Sequence, residues 1–339
     1  MDPLGLYSLL RPLLFRLPPE RAQALAERVL RIRPVWDILA RTLIPSDPEL
    51  RTNLASIPLR SPIGLAAGWD KNCELLRPLA NLGFGYVIGG TVTRLPQPGN
   101  PRPRLIRLPK ERALINSLGF PSKGLSHVEA QLQSLSPNLA PIFVSITGLT
   151  EGDFLECHNR LEPFVSGVEL NISSPNTSGI WIFQDPNRFG RLVDRLNKNR
   201  SKLLMVKLPT YNSSTRETIL ALIQRGLNLG VNGFTVANAR PVNEARVKVG
   251  RGGLSGGPLL PDTLAMISDI RHEAGHDLII NACGGISTGM DAFHALQAGA
   301  NTVQILTGLV YQGPGVVSSI NKALTDLCQE RGLASVTQI

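Results

Sequence analysis

The feature that most constrains the fold is a series of eight short apolar segments after Pro58, separated by amphipathic stretches. Strands that alternate with helices run parallel and are joined by right-handed crossovers. Eight such units close a barrel, so we predict an α/β protein with a (β/α)₈ (TIM) barrel. An open doubly wound sheet is the alternative, but it usually carries its glycine-rich turn after the first strand. The predicted strands are Ile63–Ala67, Tyr86–Gly90, Ile142–Ile146, Val168–Asn171, Leu204–Leu208, Phe234–Ala237, Leu278–Ala282 and Val303–Leu306.

Helical periodicity follows most of these strands. A small hairpin is also predicted over Pro101–Ala113, where basic and apolar residues alternate in a loop between a strand and a helix. The predicted helices are Cys73–Leu82, Ser122–Ser134, Gly152–Phe164, Thr215–Leu229, Leu260–Ala274, Gly289–Ala298 and Val316–Cys328.

The first 45 residues differ from the rest of the chain. Segments Tyr7–Phe15, Pro19–Arg31 and Val35–Thr42 carry apolar residues at helical spacing, interleaved with arginines. Short helices of this kind suit a bilayer interface, and a helical cap packed on the barrel is the alternative. We interpret residues 1–45 as an amphipathic helical, membrane-associating segment and residues 46–339 as the barrel.

Composition narrows the possible partners. Lys and Arg exceed Asp and Glu by 35 − 26 = 9, which suits a phosphate-bearing ligand, an anionic substrate or an anionic membrane surface. No nucleic-acid-binding motif is visible, so no nucleic acid partner is expected. Cys73, Cys157, Cys283 and Cys328 are scattered without a CxxC pair. We therefore expect a reducing cytoplasm, no metal site and no membrane-spanning segment.

Three glycine-containing motifs lie late in the chain, at Gly252–Gly257, Cys283–Ile286 and Leu306–Gly308. Glycine lets backbone N–H groups approach phosphate oxygens closely, and a following helix N-terminus favours an anion. A lone Gly-Gly pair is more often a tight turn. Several such motifs at the end of a barrel pattern favour a phosphate site instead, because barrel enzymes bind ligands in the loops after their strands.

Polar residues also follow the predicted strands. In the run Leu170–Thr177, two asparagines could hold a cyclic imide or amide, and Ser174 could remove a proton if a neighbouring group accepted it in turn. Lys71 follows the first strand, and Lys207 lies within an apolar run where a lysine needs a partner. A lysine beside a flavin can stabilise negative charge on the ring. An ordinary turn and exposed lysines are the alternatives.

From about Arg51 to Gly315, the chain resembles the dihydroorotate dehydrogenases. Its N-terminal extension is similar to that of their quinone-dependent, membrane-associated class 2. The resemblance is specific because a long set of motifs occurs in order. These motifs are Ala66–Gly68, Asp70–Lys71, Gly90–Thr93, Pro96–Pro101, Asn116–Phe120, Asn171–Thr177, Lys207, Gly253–Gly256 and Cys283–Ile286.

The resemblance implies a function and a site. It implies FMN as cofactor, oxidation of (S)-dihydroorotate to orotate in pyrimidine (UMP) biosynthesis, and a membrane quinone as acceptor. It also implies a peripheral place on the cytoplasmic face of the membrane and Ser174 as the base that takes a proton from C5. The implied FMN residues are Ala67, Gly68, Thr91, Asn171, Lys207, Gly256, Gly285, Leu306 and Thr307. The implied substrate residues are Lys71, Asn116, Gly119, Phe120, Asn171, Asn176 and Asn238.

Some positions depart from the family pattern. Ala237-Asn238-Ala239-Arg240 stands where the family typically has Thr-Asn-Thr-Thr, and Trp181 stands where class 2 usually has an arginine. The segment Ser145–Gly148 is more similar to the corresponding segment in the soluble class of dihydroorotate dehydrogenases than to that in class 2. Two alternatives therefore stay open: an FMN-dependent oxidoreductase acting on another cyclic amide or enone, and a non-catalytic, membrane-associated flavin binder.

Overall fold

A closed barrel of eight parallel strands is the centre of the computed structural model, which describes residues 3–135, 139–174 and 179–339. Around the barrel the strands follow the order β10-β13-β14-β3-β4-β7-β8-β9, and β9 pairs with β10 to close it. In chain order the strands are β1 (Thr52–Leu54), β2 (Ile57–Leu59), β3 (Ile63–Leu65), β4 (Tyr86–Val92), β5 (Leu105–Leu108), β6 (Ala113–Asn116), β7 (Ile142–Ile146), β8 (Gly167–Asn171), β9 (Leu203–Lys207), β10 (Gly233–Val236), β11 (Arg240–Asn243), β12 (Arg251–Gly256), β13 (Ile279–Cys283) and β14 (Thr302–Ile305).

Helices surround the barrel and precede it. The α-helices are α1 (Pro3–Arg16), α2 (Pro19–Leu30), α3 (Arg33–Leu43), α4 (Leu76–Ala80), α5 (Leu125–Gln133), α6 (Glu151–Leu161), α7 (Pro186–Asn197), α8 (Arg216–Asn228), α9 (Leu260–Ala274), α10 (Gly289–Gln297), α11 (Thr307–Gln312) and α12 (Val316–Glu330). Single 3₁₀ turns lie at Pro48–Leu50, Glu162–Phe164, Ile180–Gln184, Gly257–Leu259 and Val336–Gln338.

The predicted barrel is confirmed, and each of the eight predicted strands overlaps one barrel strand. The prediction lacked α7, whose buried residues follow helical spacing. It also made the first barrel helix too long, because α4 begins only at Leu76. The Asp70 carboxylate accepts hydrogen bonds from two backbone N–H groups, from Glu74 N to Oδ1 at 3.0 Å and from Leu75 N to Oδ2 at 2.7 Å. These contacts hold the preceding residues in turns.

A second sheet, in the order β11-β12-β6-β5, adjoins the barrel. The predicted hairpin is confirmed in β5 and β6, which pair antiparallel. The predicted phosphate motif Gly252–Gly257 is not a loop as expected: most of it is strand β12, paired with both β11 and β6. Glycine suits this strand because a Cβ on Gly252 would lie 2.7 Å from the Ile115 side chain. Only its end, at Gly256, faces the ends of the barrel strands.

The barrel interior is apolar at its lower end and polar above. Tyr86 and Phe143 meet edge to face there, with ring centroids 5.8 Å apart. Leu54 and Leu59, from the β1–β2 hairpin, pack against these rings and close the lower end. Polar side chains lie nearer the carboxyl ends of the strands, which is the end where barrel enzymes place their sites.

The three N-terminal helices pack against the upper end of the barrel. Tyr7 Oη on α1 donates to Val310 O at 2.6 Å. Glu20 on α2 accepts from Arg104 at 2.9 Å, and Asp37 on α3 pairs with Arg77 at 3.0 Å. These contacts attach the helices to the loops around the barrel mouth. Within the described parts of the chain, no helix combines the length and apolar character needed to cross a bilayer.

Candidate functional site

A cavity of about 890 Å³ runs from the carboxyl ends of the barrel strands to the N-terminal helices. Its size lies in the range of small-molecule and cofactor sites. The structure brings all the described residues of the predicted site to its wall; Asn176 lies outside the described residues. The residues on this wall are Ala67, Gly68, Lys71, Thr91, Asn116, Gly119, Phe120, Asn171, Ser174, Lys207, Asn238, Gly256, Gly285, Leu306 and Thr307.

Glycine backbone and a hydroxyl pair form one end of the cavity. Gly256 and Gly285 have φ angles of +101° and +78°, which favour glycine. A Cβ on Gly285 would clash with the backbone nitrogen of Leu260. Thr307 Oγ1 donates to Ser255 Oγ at 2.9 Å and lies at the start of α11. This bare backbone leaves room for the close approach of a phosphate group.

Lys207 lies at the end of β9, buried and facing the cavity. Within the described residues, its ammonium group has one hydrogen-bond partner, the sulfur of Cys283 at 3.8 Å. A lysine ammonium has three donors, so this group retains capacity for an acceptor in the cavity. A flavin ring has carbonyl and ring-nitrogen acceptors of the required kind. The donor set and the glycine backbone therefore fit FMN.

A directed chain of hydrogen bonds connects strands β10, β8 and β4. Asn238 Nδ2 donates to Ser173 Oγ at 2.9 Å, and Ser173 Oγ donates to Asn171 Oδ1 at 3.0 Å. Asn171 Nδ2 donates to Thr91 Oγ1 at 3.0 Å. Backbone N–H groups settle which amide atom is which, because Ala239 N donates to Asn238 Oδ1 and Ser173 N donates to Asn171 Oδ1. Ser173 thus orients both asparagine side chains.

Lys71 follows the first barrel strand and lines the same cavity. Burial lowers the pKa of its ammonium, although the carboxylates of Glu27 and Asp70 act in the opposite direction. Asn116, at the end of β6, donates through Nδ2 to Gly253 O at 3.3 Å. A half-buried cation beside amide groups can bind the carboxylate of a small polar ligand.

Asp70 supports this loop, and burial raises its carboxyl pKa to about 6. This value exceeds the ordinary value of 3.8, so ionisation of Asp70 disfavours the folded state. The free energy of unfolding is therefore unaffected by Asp70 ionisation below about pH 4, and it decreases as the pH rises through 6. We expect Asp70→Asn, which cannot ionise, to gain up to about 3 kcal/mol of stability relative to wild type over this interval. Unfolding of both proteins at several pH values measures the difference, and a constant difference would contradict the assignment.

The departures from the family pattern separate into two groups. Ala237 and Ala239 line the cavity, so they alter the space around the predicted substrate. Arg240 instead pairs with Asp262 on α9 at 2.7 Å and does not line the cavity. Trp181 is 52% exposed and also lies away from its wall. Of these four residues, only the two alanines lie on the cavity wall.

Sequence reasoning did not identify several residues of the cavity wall. Phe15 and Tyr311 meet edge to face at 5.3 Å, and Arg107 lies 4.5 Å above the Phe15 ring. Ser255 and Gln304 were also missed. Gln304 in an otherwise apolar strand was a usable signal, because a buried amide needs partners. The aromatic contacts join distant segments and had no local signal.

Comparisons with known proteins agree with this geometry. A family model described as "Dihydroorotate dehydrogenase" matches residues 49–328. A relative from Roseiflexus sp. (strain RS-1), named "Dihydroorotate dehydrogenase (quinone)", is 36% identical, over 98% of this chain and 97% of its own. A relative from Halobacterium salinarum (strain ATCC 29341 / DSM 671 / R1) with the same name is 33% identical, over 98% of both chains.

Solved structures are also similar. A DHODH from Eimeria tenella in complex with ferulenol superposes with a TM-score of 0.81 at 29% identity, over 94% of each chain. The ligand-free type from the same organism has a TM-score of 0.79 at 30% identity, over 90% of this chain and 96% of that one. With a family model that matches most of its length and relatives that align along nearly the whole chain, this chain belongs to the dihydroorotate dehydrogenase family of oxidoreductases.

Proposed function

We propose that this protein oxidises (S)-dihydroorotate to orotate with FMN as cofactor and a membrane quinone as electron acceptor, as a step of pyrimidine (UMP) biosynthesis. The observation that carries the proposal is one continuous cavity. It joins the glycine backbone, Lys207, the asparagine cluster and the N-terminal helices. A reaction with two successive substrates needs such a connection, because both must reach the same cofactor.

The cofactor end is formed by Gly256, Gly285 and Thr307, which receive the phosphate, and by Lys207, which donates to the ring. Bound FMN supplies a hydride acceptor for C6 of the substrate. Thr91 and Asn171 complete this end, and their hydrogen bond of 3.0 Å holds both side chains at the cavity wall.

The substrate end is formed by charged and amide side chains. Lys71 binds the substrate carboxylate, while Asn116, Asn171 and Asn238 hold the ring amide groups through paired hydrogen bonds. Ser174, buried at the carboxyl end of β8, removes the C5 proton. Asn176 is expected to add a further amide contact.

The acceptor end is apolar and is bounded by the N-terminal helices. Side chains from all three helices line this part of the cavity, opposite Tyr311 and Pro314 on the barrel. Leu14 and Phe15 belong to α1, and Trp36 belongs to α3. A quinone has a polar ring and an apolar tail, and it fits a passage with apolar walls that ends at a polar cofactor site.

The same helices carry the surface that we assign to membrane contact. Ten of the 17 large apolar side chains exposed among the described residues lie within residues 6–38. Four of the ten lie outside the cavity wall, namely Leu9, Leu17, Ile32 and Ile38. Leu9 is 75% exposed and Ile38 67% exposed. Such a concentration marks a binding surface, and an apolar helix face with arginines beside it suits an anionic bilayer interface. We therefore place the protein at the cytoplasmic face of the membrane, as a peripheral protein.

We expect the double substitution Leu9→Glu and Ile38→Glu to weaken binding to anionic liposomes by at least about tenfold, because each apolar side chain loses favourable burial. Liposome co-sedimentation measures the effect. Phe164→Glu is the matched control, since Phe164 is exposed beyond the amino end of β8, at the other end of the barrel. Equal binding by all three proteins would contradict the membrane assignment.

Anaerobic addition of dihydroorotate to the flavin-loaded protein tests the function. Loss of the oxidised flavin absorbance is the expected result, and added quinone should restore it. Bound flavin that ignores dihydroorotate but is reduced by another saturated cyclic amide, or whose reduced form is reoxidised by an enone, would favour the alternative activity, to which Ala237 and Ala239 lend support. A protein that takes up no FMN would contradict the whole proposal.

A further inference from the structure

Glu169 is a carboxylic acid enclosed within the barrel, outside the set of residues assigned to the site. It is fully buried on β8, two residues before Asn171, and therefore points to the same inner face. Its Oε2 atom accepts a hydrogen bond from Thr235 Oγ1 at 2.8 Å. Its Oε1 atom has no hydrogen-bond partner among the described residues. A buried carboxylate with so few donors needs a nearby positive charge.

Lys207 is the positive charge that the barrel supplies. Strands β8 and β9 pair with Asn171 opposite Lys207, so Glu169 lies one layer below the lysine on the adjoining strand. Thr235, which donates to Glu169, lies opposite Lys207 in the β9–β10 pairing. Lys207 in turn reaches Cys283 on β13.

Two further titratable groups, Cys283 and Tyr86, lie in this interior. Burial raises the pKa of the Cys283 thiol, and burial raises the pKa of the Tyr86 hydroxyl, which bonds to Thr302. Burial by itself lowers the pKa of Lys207, but Cys283 and Glu169 outweigh it and raise the pKa above its ordinary value. Glu169 adds a carboxylic acid to this interior, one layer below Lys207 on the adjoining strand.

We propose that Glu169 is a positioning residue whose carboxylate is the counter-charge that keeps the Lys207 ammonium protonated at the cavity wall. Glu169 itself does not line the cavity, so it acts on a bound flavin only through Lys207. The inference rests on the proposed FMN site for its effect on flavin binding. The pairing of Glu169 with Lys207 is argued from the barrel interior and does not depend on FMN.

The first test measures FMN affinity against pH by the change in flavin fluorescence. The suitable range is about pH 7 to 9, because the FMN phosphate has already lost its second proton there and does not contribute to the pH dependence. In the wild-type protein Lys207 should stay protonated throughout this range, so its FMN affinity should not decrease. In Glu169→Gln, Lys207 should lose its proton within this pH range, so the dissociation constant for FMN should rise by up to about tenfold per pH unit. Glutamine can keep the Thr235 contact and donate to Gln304, whose Oε1 also has no described partner.

Two further variants make this test specific. Glu169→Asp retains the charge and should retain the flat pH profile. The double variant Glu169→Gln/Lys207→Met lacks the titrating lysine. Its FMN affinity should be weaker than that of wild type but should not decrease further between about pH 7 and 9. Identical pH profiles for wild type and Glu169→Gln would overturn the proposal. So would a Glu169→Asp profile that follows Glu169→Gln.

The second test needs no flavin, so its result stands even if the protein does not bind FMN. Lys207→Met leaves Glu169 without its counter-charge, which raises the carboxyl pKa in the folded protein. The stability of this variant relative to wild type should then fall as the pH rises above about 4, the ordinary range of a glutamate carboxyl. Adding Glu169→Gln should remove this slope. A melting-temperature difference that stays constant with pH in Lys207→Met would overturn the charge pair.

Discussion

Ser174→Ala is expected to slow the reduction of bound flavin by dihydroorotate by roughly 10² to 10⁴-fold, the usual contribution of a general base. Ser174 is buried at the carboxyl end of β8 and lines the cavity, whereas alanine offers no atom that can accept or relay a proton. Because the residue lies on the substrate side, FMN should remain bound. Anaerobic stopped-flow measurement of flavin absorbance gives the rate of this step.

Ser166→Ala provides the matched control for this change. Ser166 immediately precedes β8 and lies at the opposite end of the barrel, so the same chemical change there should leave the rate unchanged. Ser174→Cys restores a group that can lose a proton, and it should recover part of the activity. Full activity in Ser174→Ala with normal FMN content would refute the assignment of Ser174 as the base.

Lys71→Met is expected to raise KM for dihydroorotate by about 30- to 150-fold, which corresponds to the roughly 2–3 kcal/mol of a hydrogen bond to a charged group. The side chain is half-buried and faces the cavity, so solvent only partly replaces the lost contact. Steady-state kinetics with a quinone acceptor separate KM from kcat. A KM close to that of wild type would contradict the carboxylate contact.

The same residue predicts a pH dependence. Burial lowers the pKa of Lys71, and only its protonated form attracts the substrate carboxylate. In wild type, kcat/KM should therefore fall at alkaline pH as the lysine loses its proton. In Lys71→Arg, whose guanidinium stays charged, this fall should be absent. Lys123→Met is the control: Lys123 is exposed and pairs with Glu74 outside the cavity, so its removal should change neither KM nor the pH profile.

The barrel was predictable from sequence because its strands are buried on both faces. Runs such as Ile142–Ile146 and Leu203–Lys207 are almost continuously apolar, and helical stretches follow most of the strands. Helix α7 could also have been found, since Phe189, Leu192, Val193 and Leu196 are spaced to form one helical face. Its many polar residues concealed this pattern.

The site was predictable wherever a residue type carries its chemistry within a local motif. Gly285 and Asn171 are of this kind, as is Lys207, whose charge stands out within an apolar strand. The partners of these residues were less accessible. Ser173 joins Asn171 to Asn238, although 65 residues separate Ser173 from Asn238 in the chain. The strand in Gly252–Gly257 was missed for the same reason, because it forms through pairing with β6, which is distant in the chain.

The sequence by itself determined the order of strands and helices, the family, and which residue types face the cavity. These depend on periodicity and local motifs, which neighbouring residues carry. Only the tertiary structure decided that the N-terminal helices and the barrel share one cavity, that Arg240 turns to Asp262, and that Glu169 lies below Lys207. These facts depend on barrel closure, which brings side chains from distant parts of the chain into one interior.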